Sequence, residues 1–290
     1  MKACIFPGQG SQFVGMAKAM TEQNSENTQL LMRANEVLGF DIADIMSNGT
    51  EEDLKATKVT QPAVFLYSYS RFKDHVDTSQ IDAVAGHSLG EITALVANDT
   101  LSFEDGLSIV SRRAQAMQKS CEEKESTMAA ILGLEDAQVV EICKDIDDLV
   151  AANFNCPGQV VISGSKPVIE DNLKVFLDNG ARRAIVLKVG GAFHSPFMKS
   201  AEMDLRDAIE NTEFNTPKLA IYQNVTAQRT VDAAEIKKNL IAQLTAPVLW
   251  TKTMESMTKD GINEFVEVGA KVLSGFLRKF DRSLEVEQFV

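Results

Sequence analysis

A five-residue motif in the first third of the chain, Gly86-His87-Ser88-Leu89-Gly90, has the spacing of a serine nucleophile elbow. The apolar run Ala83-Val84-Ala85 precedes the motif, and a helical pattern begins at Glu91. A tight strand-to-helix turn projects the serine hydroxyl out of a sheet, and its glycines let the two elements pass closely. Although glycine and serine also form ordinary turns, the strand and helix on either side favour Ser88 as a covalent nucleophile.

A serine hydroxyl needs a base, and the chain contains three histidines: His75, His87 and His194. His87 adjoins Ser88, and neighbouring side chains diverge at a sharp turn. His75 lies among charged residues, which is typical of an exposed loop. His194 directly follows a predicted strand and is the best candidate, although a hydrogen-bonded loop histidine would show the same pattern. Spacing selects no acidic third member among the 41 aspartates and glutamates.

The loop after the first apolar run, residues 6–12 with the sequence Phe-Pro-Gly-Gln-Gly-Ser-Gln, is a second glycine-bearing segment. A backbone N–H of such a loop can stabilise an oxyanion. Neither Gly-Lys-Ser nor Gly-Lys-Thr follows, so the loop does not match a phosphate-binding P-loop. Considered alone, it is best interpreted as a turn that ends a strand.

Arg113 lies beside the apolar stripe of a predicted amphipathic helix. Apolar residues recur at steps of three and four from Phe103 to Met117, and Arg113 comes three residues after Val110. Neighbouring Arg112 points to the opposite, solvated face. The simpler interpretation is that the Arg113 side chain extends along the surface to reach water. If it enters a pocket instead, its planar guanidinium suits a carboxylate.

Short apolar runs alternate with helical segments along most of the chain, which predicts an α/β fold with a mostly parallel, covered sheet. The predicted strands of this sheet are 3–6, 83–85, 219–222 and 264–268. Between residues 126 and 190 the order changes to βαββαβ, the ferredoxin-like unit, whose last strand is predicted at 183–189. The chain therefore divides into an α/β core of residues 1–125 and 191–290 and an inserted subdomain of residues 126–190.

The composition is ordinary for a water-soluble protein, but the 290 residues carry a net charge of −12. So acidic a chain is poorly suited to nucleic acid or to an anionic membrane surface. The four cysteines form no C-x-x-C pair, so neither a redox motif nor a zinc site is predicted. The N-terminal apolar run is too short for a signal peptide, and no run approaches the ~20 residues of a membrane span. We expect a cytoplasmic protein without a metal.

Several separate segments occur in the same order as in one known family. They are Phe-Pro-Gly-Gln-Gly-Ser-Gln at 6–12, Gly-His-Ser-Leu-Gly-Glu at 86–91, Arg113, Asn153-Phe154-Asn155, Pro157-Gly158-Gln159, Phe193-His194-Ser195, Gln243-Leu244, Pro247-Val248 and Trp250. Together they span essentially the whole chain, and the chain resembles the malonyl-CoA:acyl carrier protein transacylases of fatty-acid synthesis. The resemblance implies a hydrolase-like α/β core that carries a ferredoxin-like insert.

The resemblance also implies a role for each matching catalytic residue. Ser88 would be the nucleophile and His194 its base. The backbone N–H groups of Gln9 and Leu89 would form the oxyanion hole. The main-chain carbonyl of Gln243 would orient His194 in place of an aspartate, which would explain why no acidic third member stands out.

On the substrate side, the resemblance implies that Arg113 holds the malonyl carboxylate. Phe193 matches the malonyl-selective pattern of the family. Two further residues match a family segment beside the site without a firm role: Asn153 and Asn155. The sequence departs from the family at Gly190-Gly191, where many relatives have serine before the second glycine, and this puts the shape of that loop in doubt.

The implied reaction is a ping-pong transfer of malonyl from coenzyme A, present as its thioester substrate, to the phosphopantetheine thiol of acyl carrier protein. No permanently bound cofactor is implied. The alternatives are a free-standing polyketide-synthase acyltransferase with the same chemistry, a serine esterase, and an inactive docking module. An esterase has no use for a buried arginine, and the intact set of Ser88, His194 and Arg113 argues against an inactive module. Basic residues are expected to dock the acidic carrier protein, and the candidates are Arg182, Arg183, Lys271, Arg278 and Lys279.

Overall fold

A computed structural model describes the backbone of residues 1–290 and every side chain except that of Gln23. Along this backbone the strands are β1 (Lys2–Phe6), β2 (Ala83–Gly86), β3 (Ser126–Leu132), β4 (Leu149–Cys156), β5 (Gln159–Ser165), β6 (Arg183–Val186), β7 (Ala220–Tyr222), β8 (Arg229–Thr230), β9 (Glu264–Val268) and β10 (Glu285–Phe289). The α-helices are α1 (Met16–Gln23), α2 (Asn27–Leu38), α3 (Ile42–Asn48), α4 (Glu51–Lys55), α5 (Thr57–His75), α6 (Gly90–Ala97), α7 (Phe103–Glu123), α8 (Asp136–Lys144), α9 (Lys166–Asp178), α10 (Lys199–Glu210), α11 (Ala233–Ala242), α12 (Trp250–Lys259) and α13 (Leu273–Phe280). None of the helices so described combines the length and the apolar character needed to cross a membrane.

The large sheet has the strand order β10-β9-β1-β2-β7-β8. Its strands pair in parallel except for β8, which runs antiparallel to β7. Ala3 lies opposite Ala83, and Phe6 lies opposite Gly86. Because these two parallel strands end at the same edge, the loop after β1 and the turn after β2 meet there. The prediction of a mostly parallel α/β core is confirmed.

The second sheet is antiparallel throughout and has the order β4-β5-β3-β6. This order and the connections through α8 and α9 are those of the ferredoxin-like unit, as predicted. The sheet is joined to the core beside β4: Phe154 N–H donates to Val248 C=O, and Val248 N–H donates to Ala152 C=O, both at 2.9 Å. The division into residues 1–125, 126–190 and 191–290 stays a prediction.

Three local predictions were wrong. The strand predicted at 183–189 ends at Val186, and residues 187–189, of which Leu187 still donates its N–H to Met128 C=O, line the cavity described below. Strands β8 and β10 were not predicted; both are short and lie at the edges of the large sheet, β8 has only polar residues, and β10 mixes polar with apolar residues. His75 is exposed as predicted, but it ends α5 and its ring stacks on Phe289 instead of lying in a loop.

The start of α13 is anchored to the large sheet by a buried carboxylate. Glu267 in β9 is fully buried, and it accepts hydrogen bonds from the N–H groups of Val272, Leu273 and Ser274 at 2.7–2.8 Å. These are the free donors at a helix N-terminus, where the dipole also favours negative charge. The carboxylate therefore fixes the first turn of α13 against the end of a central strand.

Candidate active site

The turn between β2 and α6 holds Ser88 in a left-handed conformation, with φ 54°. A side chain at Gly86 would meet the Gly90 backbone at 1.9 Å, and one at Gly90 would meet the Phe6 carbonyl at 2.1 Å. Only glycine fits at either place, so the spacing of the motif follows from close packing of strand, turn and helix. The structure thus has the elbow geometry that the sequence indicated.

Ser88 and His194 meet although 106 residues separate them. Ser88 Oγ lies 2.7 Å from His194 Nε2, and His194 Nδ1 lies 2.9 Å from the Gln243 main-chain oxygen. A carbonyl oxygen can only accept, so Nδ1 carries the proton and Nε2 is left to accept from the serine hydroxyl. The pair is therefore a serine beside a neutral histidine that a backbone carbonyl orients, and no carboxylate among the described residues bonds to that histidine.

His194 is 4% exposed and is held neutral. Burial, and then the charge of Arg113, lower the pKa of His194 from its ordinary 6.5 to about 3. A neutral imidazole is the form that can take a proton from a hydroxyl. The other nearby histidine, His87, donates its Nε2–H to Asn155 Oδ1 at 2.8 Å and has no contact of this kind with Ser88.

We expect His194→Gln to lose less stability in acid than the wild-type protein. Between pH 6.5 and pH 3 the unfolded chain binds a proton at His194 and the folded protein does not, so the unfolding free energy falls as pH falls. At 1.36 kcal/mol per pH unit, the wild type should lose about 2 kcal/mol more than the variant between pH 6.5 and pH 5. Denaturant unfolding of both proteins at these two pH values measures the difference. Equal losses would mean that His194 is protonated in the folded protein.

Arg113 points into the protein and not along its surface, so the simpler interpretation from the sequence was wrong. Its side chain is among the largest that are fully buried. Nη1 donates to Gln61 Oε1 at 2.8 Å, and Nη2 donates to Ser88 Oγ at 3.0 Å and to Gln243 Oε1 at 3.3 Å. Its Nε–H has no acceptor among the described residues. Arg112, by contrast, is exposed as predicted.

The Arg113 guanidinium keeps its charge in this setting. Burial lowers the pKa of Arg113 to about 10, which still leaves it protonated at neutral pH. The carboxylate of Glu91 acts on this cation without forming an ion pair among the described residues, and a buried cation with neutral hydrogen-bond partners and one free donor is costly unless an anion in contact completes its environment. The site is therefore suited to a ligand that carries a negative charge close to the serine.

The backbone N–H groups of Gln9 and Leu89 lie at the same edge, and neither has an acceptor among the described residues. Gln9 belongs to the loop after β1, and Leu89 follows Ser88 directly before α6. Both residues line the cavity that contains Ser88 and His194. Free donors at a loop and at a helix start form the kind of site that stabilises an oxyanion.

The cavity in front of Ser88 has a volume of about 340 Å³. Four buried apolar side chains form much of its wall: Met117, Met128, Val161 and Phe193. Asn153 and Asn155 also line it, so these family-matched positions lie at the site.

At the Gly190-Gly191 departure, a side chain at 190 would meet nothing within 4 Å, whereas one at 191 would meet Cys121 Sγ at 2.3 Å. Serine therefore fits at the position where relatives carry it.

Two residues of the site, Gln61 and Asn224, were missed by the sequence analysis, and Glu91 was quoted within the segment 86–91 without a role of its own. Gln61 lies on the buried face of α5 and contacts Arg113. Asn224 follows β7, and its side chain contacts the elbow on both sides of His87. The position of Asn224 just beyond the carboxyl end of a predicted strand was the one available signal, because ligands and functional groups gather at that edge.

A second cavity of about 340 Å³ is lined by basic residues. Arg182, Arg278 and Lys279 line it together with Arg282, and none of these four forms an ion pair within the described part of the chain. Arg183 and Lys271 are exposed but do not line it. Helix α13 contributes to both cavities, because Leu273 and Phe276 line the first and Arg278 and Lys279 line the second.

The sequence matches the family described as acyl transferase domain over residues 3–278. The chain belongs to this family.

Within the family, the resemblance to malonyl transacylases is confirmed. The chain is 40% identical over 289 residues to the malonyl CoA-acyl carrier protein transacylase of Staphylococcus aureus strain MRSA252, covering 98% of this chain and 94% of the relative. Its fold matches the acyl-carrier-protein S-malonyltransferase of Burkholderia pseudomallei 1710b with a TM-score of 0.94, 36% identity, and coverage of 99% and 95% of the two chains. A malonyl-transacylase solved in complex with its type II PKS acyl-carrier protein matches with a TM-score of 0.93 and 32% identity, covering 99% and 95%.

Proposed function

We propose that this protein transfers the malonyl group of malonyl-CoA to the phosphopantetheine thiol of an acyl carrier protein, for fatty-acid chain elongation. The observation that carries the proposal is the buried Arg113 guanidinium 3.0 Å from Ser88 Oγ, while the same oxygen lies 2.7 Å from His194 Nε2. A nucleophile and base beside a buried cation suit an acyl group that ends in a carboxylate. The names of the relatives support the same substrate.

In the first half-reaction, His194 Nε2 takes the hydroxyl proton as Ser88 Oγ attacks the thioester carbonyl of malonyl-CoA. The N–H groups of Gln9 and Leu89 stabilise the oxyanion. The imidazolium gives its proton to the sulfur of coenzyme A, which leaves as the thiol. The Gln243 carbonyl holds the imidazole in the required tautomer and stabilises its charge through the Nδ1–H bond.

In the second half-reaction, the carrier thiol gives its proton to His194 and attacks the malonyl-serine ester. The tetrahedral intermediate collapses, the carrier receives the malonyl group, and Ser88 regains its proton from His194. Both steps exchange an acyl group between oxygen and sulfur without oxidation. The chemistry therefore requires neither a metal nor a permanently bound cofactor, and coenzyme A enters only as the thioester substrate.

The test is intact-mass analysis of the wild-type protein after mixing with malonyl-CoA. One malonyl adduct should form and should be discharged by a carrier protein that carries phosphopantetheine, with malonyl appearing on the carrier. No adduct, or discharge to water faster than to any carrier, would reject transfer and favour the esterase.

The same experiment distinguishes the two carrier systems. A type II PKS carrier is bound by one of the structural relatives, which keeps a polyketide role as the second candidate. Faster discharge to a fatty-acid carrier than to a type II PKS carrier supports the proposed pathway, and the reverse order supports the alternative. We place the reaction in the cytoplasm, as the sequence analysis expected.

We further propose that the basic cavity formed by Arg182, Arg278, Lys279 and Arg282 docks the carrier. These unpaired cations stand out in a chain of net charge −12, and an acidic partner would otherwise be repelled. The shared helix α13 joins this cavity to the acyl cavity, which suits a partner whose attached thiol must reach Ser88. Arg183 and Lys271 are expected to contribute less, since they lie outside the cavity.

Reversing one of these charges should weaken binding of the carrier and leave binding of malonyl-CoA unchanged. We expect Arg278→Glu to raise the KM for the carrier by roughly tenfold and to make that KM less dependent on salt. The KM for malonyl-CoA in the first half-reaction should stay unchanged. Arg229→Glu, the same charge change on the exposed edge strand β8, is the matched control and should behave like the wild type. Equal effects on both substrates would contradict docking at this cavity.

A further inference from the structure

A buried asparagine spans the turn that carries the nucleophile. Asn224 Oδ1 accepts a hydrogen bond from Ser88 N–H at 2.6 Å, and Asn224 Nδ2 donates to Gly86 C=O at 2.6 Å. The residue is fully buried, and its main-chain N–H and both side-chain polar atoms are used. One side-chain amide therefore holds the backbone both before and after His87.

The elbow needs such support because Ser88 has a positive φ. A residue other than glycine in this conformation costs about 1–3 kcal/mol, and it persists where surrounding contacts determine it. A third contact comes from Gln243 Nε2, which donates to the Ser88 carbonyl at 3.0 Å. Since Asn224 takes up the N–H of Ser88, the next N–H, that of Leu89, is the one left free at the start of α6.

Asn224 is held in turn by the carboxylate of Glu91, the residue after the elbow motif. Glu91 Oε2 accepts from the Asn224 main-chain N–H at 2.6 Å, and Oε1 accepts from Gln223 Nε2 at 3.3 Å. Glu91 is fully buried and forms no ion pair within the described residues. Carboxylates are rarely buried without a charged partner in contact, so the hydrogen bonds that Glu91 accepts are what compensates for its burial.

The groups that act on this carboxylate come from three other segments of the chain. Arg113 on α7 is the charged group that acts on it, and Gln223 and Asn224 after β7 and Gln243 after α11 supply amides. Burial raises the pKa of Glu91 to about 7, and the donors from Asn224, Gln223 and Gln243 oppose that rise. The ionised form is the one that these N–H donors favour.

We propose that Asn224 is a positioning residue for the nucleophile and that Glu91 holds Asn224 in place. The proposal rests on the proposed function only in taking Ser88 as the nucleophile. Neither residue needs to touch the acyl group. Their contribution is to keep Ser88 Oγ within reach of His194 Nε2 and to present the Leu89 N–H to the oxyanion.

The test compares Asn224→Ala with the wild type in two reactions. The first is malonyl transfer, in which kcat should fall by about 10²-fold while the KM for malonyl-CoA changes less than threefold. The second is labelling by a small alkyl fluorophosphonate, in which Ser88 Oγ forms a bond to phosphorus, fluoride leaves, and the hydroxyl proton passes to His194. Its rate should fall by a similar factor. Labelling does not depend on malonyl, so it tests positioning even if malonyl transfer fails in every protein.

Asn98→Ala is the matched control, because Asn98 is also a buried asparagine whose side chain donates to a main-chain carbonyl, that of Leu219. It should lower the melting temperature about as much as Asn224→Ala and leave both reaction rates unchanged. If Asn224→Ala lowers the melting temperature while both rates remain those of the wild type, Asn224 is only structural and the proposal is wrong.

A second pair of variants tests Glu91 and covers the case in which Asn224→Ala does not fold. Glu91→Gln keeps an oxygen that can accept from the Asn224 N–H, and it should retain both rates within about fivefold. Glu91→Ala lacks that acceptor and should lower both rates by roughly 10–10²-fold at unchanged KM. Equal rates in the two variants would show that the link from Glu91 to Asn224 does not act on the nucleophile.

Discussion

Replacing Ser88 with alanine should abolish the malonyl adduct and lower malonyl transfer by roughly 10⁴–10⁶-fold. The hydroxyl contacts both the neutral imidazole of His194, at 2.7 Å, and the Arg113 guanidinium, at 3.0 Å. Without the hydroxyl, His194 has no proton to accept, and no oxygen is available to form the malonyl ester. Any activity that remains comes from binding and from the oxyanion donors.

The measurement is intact mass together with single-turnover transfer to the carrier. His194→Ala is the informative comparison, because it keeps the nucleophile and removes the base. It should slow both half-reactions by about 10²–10⁴-fold and still accumulate adduct over long times. An adduct of unchanged amount in Ser88→Ala would place the acyl group on another residue. A wild-type acylation rate in His194→Ala, with a slow rate in His87→Ala, would assign the base to His87.

Replacing Arg113 with alanine should invert the preference for malonyl over acetyl. In the proposed transfer the malonyl carboxylate enters the cavity walled by apolar side chains, where Arg113 is the buried cation beside Ser88. Breaking a buried charge pair by removing one partner costs about 3–5 kcal/mol, which corresponds to roughly 10²–10⁴-fold in kcat/KM. Acetyl transfer should improve, because an acetyl group leaves the guanidinium without an anion and the substitution removes that uncompensated charge.

Two further variants separate charge from geometry. Arg113→Lys keeps a positive charge but loses the planar set of donors, so it should restore malonyl transfer poorly. Arg112 lies on the exposed face of the same helix, so Arg112→Ala should change the preference for malonyl over acetyl little. The ratio of kcat/KM for malonyl-CoA and acetyl-CoA, measured in the four proteins, decides the matter. A ratio in Arg113→Ala equal to that of the wild type would mean that the guanidinium does not bind the acyl carboxylate.

The elements that carry the site were predictable because their signals are local. The strand, turn and helix around Ser88 are contiguous, and the glycines at 86 and 90 report a close approach that glycine alone permits. The βαββαβ order of residues 126–186 could likewise be followed from short-range periodicity. The edge strands β8 and β10 could not, since a two-residue strand and a half-polar strand depend on the neighbours they pair with.

The surroundings of the serine depended on contacts far apart in the chain. Elimination among three histidines selected His194, but its partner Gln243 was indicated only by the family resemblance. Whether Arg113 reached solvent or the interior depended on α5, which supplies Gln61 across 52 positions. Asn224 lies 136 positions from Ser88, and neither a motif nor a period connects the two. Such polar contacts follow from tertiary packing, which local patterns do not encode.

Helix α13 also fixes the spacing between the cavity in front of Ser88 and the basic cavity. Its first turn is fixed to the sheet by Glu267, its side chains Leu273 and Phe276 form part of the acyl cavity, and Lys279 lies at the basic cavity. At 1.5 Å per residue, Phe276 and Lys279 are about 4.5 Å apart along the axis. One residue inserted between them would turn the cations by roughly 100° around the axis and leave the cavity wall in place. In the proposed docking, the phase of the helix turns, more than the number of its charges, therefore sets the position of the carrier relative to Ser88.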